Sequence, residues 1–100
     1  MKVVELDASN WRRERHFYDA LLPKLGAPAW HGHNLDAIND SIFTGGVNEI
    51  EPPFQIRVVG IEHLSQRMKD FLTKVQSVFG EGRAETGRQA FVSFDGPLLR

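Results

Sequence analysis

Asp36 and Asp40 are the two residues of this sequence whose type and spacing point most directly to chemistry. Side chains four residues apart on a helix lie one above the other, so the two carboxylates would share one face. Like charges at this spacing destabilise a helix by about 0.2–0.5 kcal/mol, and only Asp36 lies in the first turn, where the helix dipole favours an acid. The surrounding stretch contains no Lys or Arg to balance them. The pair therefore indicates either an ordinary solvated acidic face or a surface whose positive counter-charge belongs to another molecule.

Two kinds of enzyme site are alternative interpretations of the same stretch. His31 and His33 would point the same way on an extended loop and, with Asp36, could hold a metal ion, although the short spacing is weak evidence and the other histidines are remote. The two carboxylates could instead act as a general acid and base, but exposed helix turns lack the buried pocket that separates two pKa values. We therefore expect no enzyme, no metal and no cofactor.

A short helix must carry the two aspartates. Asn34 is a good N-cap because its side-chain oxygen can accept a hydrogen bond from the backbone of the first turn, and Gly32 allows a tight approach. Leu35, Ile38 and Ile42 recur at i, i+3 and i+7 and predict one buried stripe. The carboxylates lie on a different face, which we expect to point outwards.

The stretch Gly32-x-Asn34-Leu35-Asp36-Ala37-Ile38-x-Asp40, preceded by Pro28 and the aromatic Trp30, resembles the signature of the barstar family of ribonuclease inhibitors. The order of elements from about Lys2 to Phe94 also resembles that family. The resemblance implies an α/β fold, in which a barstar-like, three-stranded parallel sheet packs against three or four helices. It also implies that the loop and the acidic helix block the active site of a ribonuclease.

This implied function has a simple physical basis. A ribonuclease must present Arg, Lys and His to bind a phosphodiester, so a rigid set of carboxylates complements its catalytic cleft. The expected partner is therefore a basic protein, a ribonuclease or another nuclease toxin. The alternative is an interaction module of the same fold whose partner is not a nuclease, because fold does not guarantee function.

Carried over position by position, the resemblance implies a set of partner-binding residues in the loop, in the acidic helix, in the following loop and on the last helix. These residues are Trp30, His31, Asn34, Asp36, Asn39, Asp40, Gly45, Gly46 and Glu81. The chain departs from the family's type member at three of them. Asn39 and Gly46 replace tryptophans, the second in a loop that is one residue longer, and His31 replaces a tyrosine. Buried aromatics are the usual anchors of tight interfaces, so these changes imply a different partner or a weaker contact.

The remaining sequence predicts the elements that position this surface. Residues 3–6 form a short strand, and a helical pattern begins at Trp11 and should end or kink near Leu22, because Pro23 lacks an N–H and clashes with the preceding turn. β-branched alternation predicts a strand at Phe54–Val59. A long amphipathic helix follows, capped by Ser65 unless residues 61–64 form a separate short helix, as the resemblance implies. The glycines at 80 and 82 should stop or fray that helix, and Ala90–Phe94 forms the last strand.

Composition indicates one ordinary globular domain. The chain has 100 residues, of which 41% are hydrophobic and 25% charged, and no cysteine. We expect a single barstar-like domain over residues 1–96, with a poorly ordered tail at 97–100. Twelve basic and 13 acidic residues leave a net charge of −1, which disfavours direct binding of nucleic acid. A signal peptide and a membrane span are not expected, so we expect a cytoplasmic monomer.

Overall fold

Three parallel strands form the sheet, and three helices complete the fold. The computed structural model describes residues 1–98. The strand order is β1-β2-β3, with β2 in the centre and both pairings parallel, so the predicted α/β fold is confirmed. Along the chain the elements are β1 Lys2–Asp7, α1 Glu14–Lys24, α2 Leu35–Asn39, a π-helical turn Asp40–Thr44, β2 Phe54–Val59, α3 Gln66–Thr86 and β3 Ala90–Phe94.

One face of the sheet carries the core. Alternate residues of the central strand, Phe54, Ile56 and Val58, are fully buried, as the period of two in a strand requires. Phe17 of α1 packs edge-to-face on Phe71 of α3, with 5.6 Å between the ring centroids. The other buried apolar side chains come from every element and include Val4, Leu6, Leu21, Leu22, Leu25, Ile38, Ile42, Phe43, Leu72, Val75 and Phe79.

Helix α1 begins later and ends later than the sequence predicts. The ring of His16 accepts hydrogen bonds at Nδ1 from the backbone N–H groups of Arg12 and Arg13, at 2.9 and 3.1 Å, so the chain before the helix is held by His16 and Arg13 is the N-cap. At the other end, the helix continues through Pro23 to Lys24. Proline removes only its own hydrogen bond here, because its side chain is exposed and the N–H of Leu25 still reaches the carbonyl of Leu21 at 3.1 Å.

Helix α3 does not stop at its glycines, and that prediction is wrong. The helix runs to Thr86 and ends at Gly87, which has a left-handed φ of 73°. Gly82 is required for packing, because a Cβ at this position would overlap the ring of Phe43. At the start of the helix, the Ser65 hydroxyl oxygen accepts from the backbone N–H of Met68 at 3.2 Å, as predicted. Residues 61–64 form a turn and not a separate helix.

Polar contacts connect the strands to one another and to the neighbouring segments. Lys24 donates from its ammonium group to the carbonyl oxygen of Glu5 on β1. On the open face, Arg57 of β2 pairs with Glu5 at 2.8 Å and with Asp95 at 3.6 Å. Leu98 is half-buried and packs against the core. Of the predicted tail, Leu99 and Arg100 lie outside the described residues. No helix within residues 1–98 combines the length and apolar character that crossing a bilayer would need.

Candidate partner-binding surface

The loop before α2 and the start of that helix are built by local hydrogen bonds. The side-chain Oδ1 of Asn34 accepts from the backbone N–H of Ala37 at 2.8 Å, which is the predicted N-cap. Gly32 lies close to this cap, since a Cβ there would be 3.0 Å from Asn34 Nδ2 and 3.1 Å from Ala37 Cβ. Ile38 is completely buried and anchors the helix on its inner side.

Both carboxylates of the acidic pair are exposed. Among residues 1–98, no basic side chain lies within 4.0 Å of either Asp36 or Asp40. Among residues 1–98 the pair's one side-chain hydrogen bond is long, with the Thr44 hydroxyl donating to Asp40 Oδ1 at 3.3 Å. The fold therefore holds two adjacent negative charges without neutralising them.

The chain widens into a π-helical turn where the sequence predicts a continued α-helix. The backbone N–H of Gly45 bonds to the carbonyl of Asp40, five residues earlier, at 3.3 Å. Ser41, Ile42 and Phe43 are consequently all buried, although an α-helical stripe would bury only some of three consecutive residues. The turn keeps Asp40 outside while its three successors face the core.

Two glycines then reverse the chain. Gly45 and Gly46 have φ values of 87° and 79°, a region that other residues rarely adopt. The N–H of Gly46 donates to Glu51 Oε2 at 2.7 Å. Arg88, from beyond α3, donates to the carbonyl of Ile42 at 2.7 Å and pairs with Glu51 at 3.4 Å. Sequence reasoning missed Glu51 and Arg88, because nothing in their local sequence marks them as supports of this loop.

Trp30 stands next to the acidic pair and is 75% exposed. This is unusual for so large an apolar side chain, which ordinarily buries most of its surface. A shallow cleft runs between the Trp30 ring and Asp40, with Gly32, Ala37 and Val47 also lining it. The surface thus combines an unburied aromatic ring with unpaired carboxylates.

The His31 side chain is buried behind the cleft between Trp30 and Asp40 and forms part of its wall. It is 5% exposed, with Nδ1 2.8 Å from the carbonyl oxygen of Gly32 and Nε2 2.8 Å from Ser41 Oγ. Asn48, which the sequence analysis did not single out, donates from Nδ2 to the same hydroxyl oxygen at 3.1 Å. The His31 imidazole therefore makes internal polar contacts.

His33 turns the other way. Its ring stacks on Tyr18 of α1, with centroids 5.8 Å apart and an interplanar angle of 17°, and its Nδ1 lies 4.0 Å from Asp19. Burial, with a smaller contribution from the charge of Glu14, raises the pKa of Tyr18 to about 12. The two histidines therefore diverge, and within residues 1–98 no three His, Asp or Glu side chains gather as a metal site would require.

The remaining predicted contact residues lie around the acidic pair and on α3. Asn39 is exposed on the last turn of α2. Glu81 is exposed too, in the interior of α3 and not at its end as predicted. Its neighbour Gly82 touches Phe43, so this part of α3 packs directly against the π-helical turn.

The fold and this surface define a small α/β domain that presents an acidic helix beside an exposed aromatic ring. The family model described as Barstar (barnase inhibitor) matches residues 1–95, so the chain belongs to the barstar family. Members of this family are inhibitors and not enzymes, and they bind ribonucleases. No curated protein matches the chain.

Proposed function

We propose that this protein inhibits a ribonuclease by covering its basic active site with the loop and the acidic helix. The observation that carries the proposal is the unpaired state of Asp36 and Asp40, which are exposed and have no basic side chain within 4.0 Å among residues 1–98. Family membership supports a ribonuclease as the partner. An interface that desolvates these carboxylates must supply cations of its own.

The chemistry of a ribonuclease supplies such cations. Its cleft must hold Arg, Lys or His against the phosphodiester, and a bidentate guanidinium–carboxylate pair has the same geometry as guanidinium–phosphate. The exposed ring of Trp30 gives the apolar component that interface anchors usually have, and its π face can also receive a cation. Asp36 and Asp40 would therefore occupy the positions of the RNA phosphates, while Trp30 would pack beside them.

The other members of the proposed surface have supporting roles. Asn34 holds the start of α2 through its cap. Asn39, Gly45 and Gly46 form the rim, and Glu81 adds a further carboxylate from α3. We propose that the protein acts as a monomer in the bacterial cytoplasm, as an immunity or antitoxin protein that protects the cell making the nuclease.

Inhibition of purified barnase on a fluorogenic RNA tests the proposal. The Asp36→Asn/Asp40→Asn double variant keeps the side-chain shapes but removes both charges, and Asp70→Asn on the exposed face of α3 is the matched control. We expect the wild type and the control to inhibit at the same concentration and the double variant to need at least about a hundredfold more protein. Equal inhibition by all three proteins would remove the acidic helix from the interface.

A non-nuclease partner is the second candidate, and Asn39 and Gly46 favour it. Neither position carries the tryptophan that the family resemblance implies, so the rim is polar and small here. Capture experiments on a lysate and culture fluid of the source organism, at low salt, would separate the two functions. A basic nuclease retained by the wild type and lost by the double variant supports inhibition, whereas a non-nuclease retained in the same charge-dependent way supports the second candidate.

A further inference from the structure

Three buried polar side chains meet beneath the acidic surface. His31, Ser41 and Asn48 are 5%, 2% and 7% exposed and come from the loop before α2, the π-helical turn and the loop before β2. Ser41 Oγ is the common point, 2.8 Å from His31 Nε2 and 3.1 Å from Asn48 Nδ2. We call this the His31–Ser41–Asn48 network.

The direction of each hydrogen bond in the network follows from its donors and acceptors. The carbonyl oxygen of Gly32 can only accept, so Nδ1 of His31 carries the hydrogen of their 2.8 Å contact. In the neutral ring Nε2 is then an acceptor, and the Ser41 hydroxyl donates to it at 2.8 Å in preference to the Ile38 carbonyl oxygen, which is 3.4 Å away. The Ser41 oxygen accepts in turn from the Asn48 amide. One continuous chain of donors therefore runs from Asn48 through Ser41 and His31 to Gly32.

The network adjoins both chemical components of the proposed surface. Trp30 precedes His31, and Asp40 precedes Ser41, so the network fixes the backbone beside the exposed ring and beside the unpaired carboxylate. We infer that His31 is a positioning residue, which locks the Trp30 loop to the Asp40 turn before a partner arrives. The consequence for binding rests on the proposed function, because a preorganised surface loses less entropy on association.

A purely stabilising role does not account for these residue types. Buried polar groups are costly unless every hydrogen bond is made, and Asn48 Oδ1 is buried without a partner within residues 1–98. Apolar side chains of similar volume would fill the same space without that penalty. What the polar network adds is directionality, since each hydrogen bond is made in only one arrangement of the three segments.

Substitutions at position 31 can separate the roles of the two ring nitrogens, one of which bonds Gly32 and the other Ser41. In His31→Asn the short amide can replace Nδ1 and bond Gly32, but it cannot reach Ser41, whereas in His31→Gln the longer amide can replace Nε2 and bond Ser41. Ser41→Ala removes the centre of the network. His63→Asn, in the exposed turn before α3, is the matched control for loss of an imidazole.

Amide hydrogen exchange on the free protein is the first test. The reporters are the N–H of His31, bonded to the Pro28 carbonyl at 3.0 Å, and the N–H of Gly45, bonded to the Asp40 carbonyl at 3.3 Å. We expect both to exchange about tenfold faster in His31→Asn and Ser41→Ala, and close to the wild-type rate in His31→Gln and His63→Asn. Unchanged exchange in β2 verifies that the fold is intact. Wild-type rates at both reporters in His31→Asn and Ser41→Ala would overturn the inference.

Affinity for barnase is the second test. We expect His31→Asn and Ser41→Ala each to weaken binding about tenfold, their combination to weaken it no further, and His31→Gln to recover most of the loss. Faster exchange with undiminished affinity would overturn the positioning role. If the wild type does not bind barnase, the proposed target fails, and the exchange of the two reporters alone decides whether the network locks the segments together.

Discussion

Asp40 is the residue on which the proposed surface depends most, because neither the helix dipole nor a basic neighbour explains its charge. Its one described side-chain contact, with the Thr44 hydroxyl, is long at 3.3 Å and leaves most of the carboxylate free for another molecule. Asp36 differs, since it lies in the first turn of α2, where the helix dipole favours an acid. The helix dipole therefore accounts for the acid at position 36 but not for the acid at position 40, although both side chains are exposed.

We expect Asp40→Ala to weaken partner binding by at least about 2 kcal/mol, the loss typical of a central interface residue. Isothermal titration calorimetry against the ribonuclease measures it. Thr44→Val is the control, because it removes the internal hydrogen bond and keeps the carboxylate, and it should change the binding free energy by less than about 1 kcal/mol. A loss within error of zero for Asp40→Ala would contradict the proposed contact.

Tyr18 leads to a pH-dependent prediction that phenolate absorbance can test directly, because it is the only tyrosine of the chain. Burial raises its pKa from 10.0 to about 12, so the folded protein holds this proton more tightly than the unfolded chain. Its contribution to the free energy of unfolding is complete below pH 10 and is lost as the pH rises through about 12.

The phenolate absorbance of the folded protein should therefore titrate with a midpoint near 12. Urea unfolding from about pH 9 to about pH 12 should show falling stability, and Tyr18→Phe should flatten this part of the curve. A phenolate midpoint close to that of free tyrosine would show that the ring is not buried beside His33 in solution.

At the scale of elements, α3 and the π-helical turn depend on each other through one close contact. Gly82 has no side chain, and the ring of Phe43 occupies the space that a Cβ would need. Gly80, on the same helix, has open space, with Arg83 Nη2 at 3.9 Å as its nearest neighbour. The two glycines thus offer a matched pair of substitutions.

We expect Gly82→Ala to lower the free energy of unfolding by about 1–3 kcal/mol, because overlap with Phe43 outweighs the better helix propensity of alanine. Gly80→Ala should instead stabilise the protein by up to about 1 kcal/mol. Urea denaturation of both variants measures these changes. Stabilisation by both substitutions would show that α3 does not pack this closely on the turn.

The elements that sequence reasoning predicted are those whose signals are local. Each of these signals depends on residues close together in the sequence. Examples are the Asn34 cap, the Ser65 cap and the strand at Phe54–Val59. The continuation of α3 depends on Phe43, and the loop after the π-helical turn depends on Arg88, both distant in the sequence. The buried hydrogen bond of His31 could not be predicted for the same reason, because its partner Ser41 is ten residues away.

At the scale of the whole molecule, charge is distributed unevenly although the net charge is only −1. The acidic pair lies in a stretch without Lys or Arg, while Arg57 and Arg88 are paired on the sheet and behind the loop. A local negative field attracts a basic partner over roughly a Debye length, about 10 Å at 0.1 M salt. Helix α3 packs behind this surface, with Gly82 against Phe43, and the uneven charge was visible in the sequence.

We expect the association rate with a basic ribonuclease to fall at least about tenfold between low and high salt. The Asp36→Asn/Asp40→Asn variant should associate more slowly at low salt and show a much flatter dependence, while Asp70→Asn should retain the wild-type slope. Stopped-flow measurements at several ionic strengths decide this. Parallel salt dependences for all three proteins would place the steering charge elsewhere on the molecule.

The π-helical turn also bears on how this surface can change in evolution. A wide turn takes in one more residue than an α-helical turn, while the segments on both sides keep their orientation. The π-helical turn lies immediately before the loop that contains Gly45 and Gly46. One residue more or less can therefore be accommodated at this turn without shifting the buried residues, so the rim of the proposed surface can change while the core beneath it stays the same.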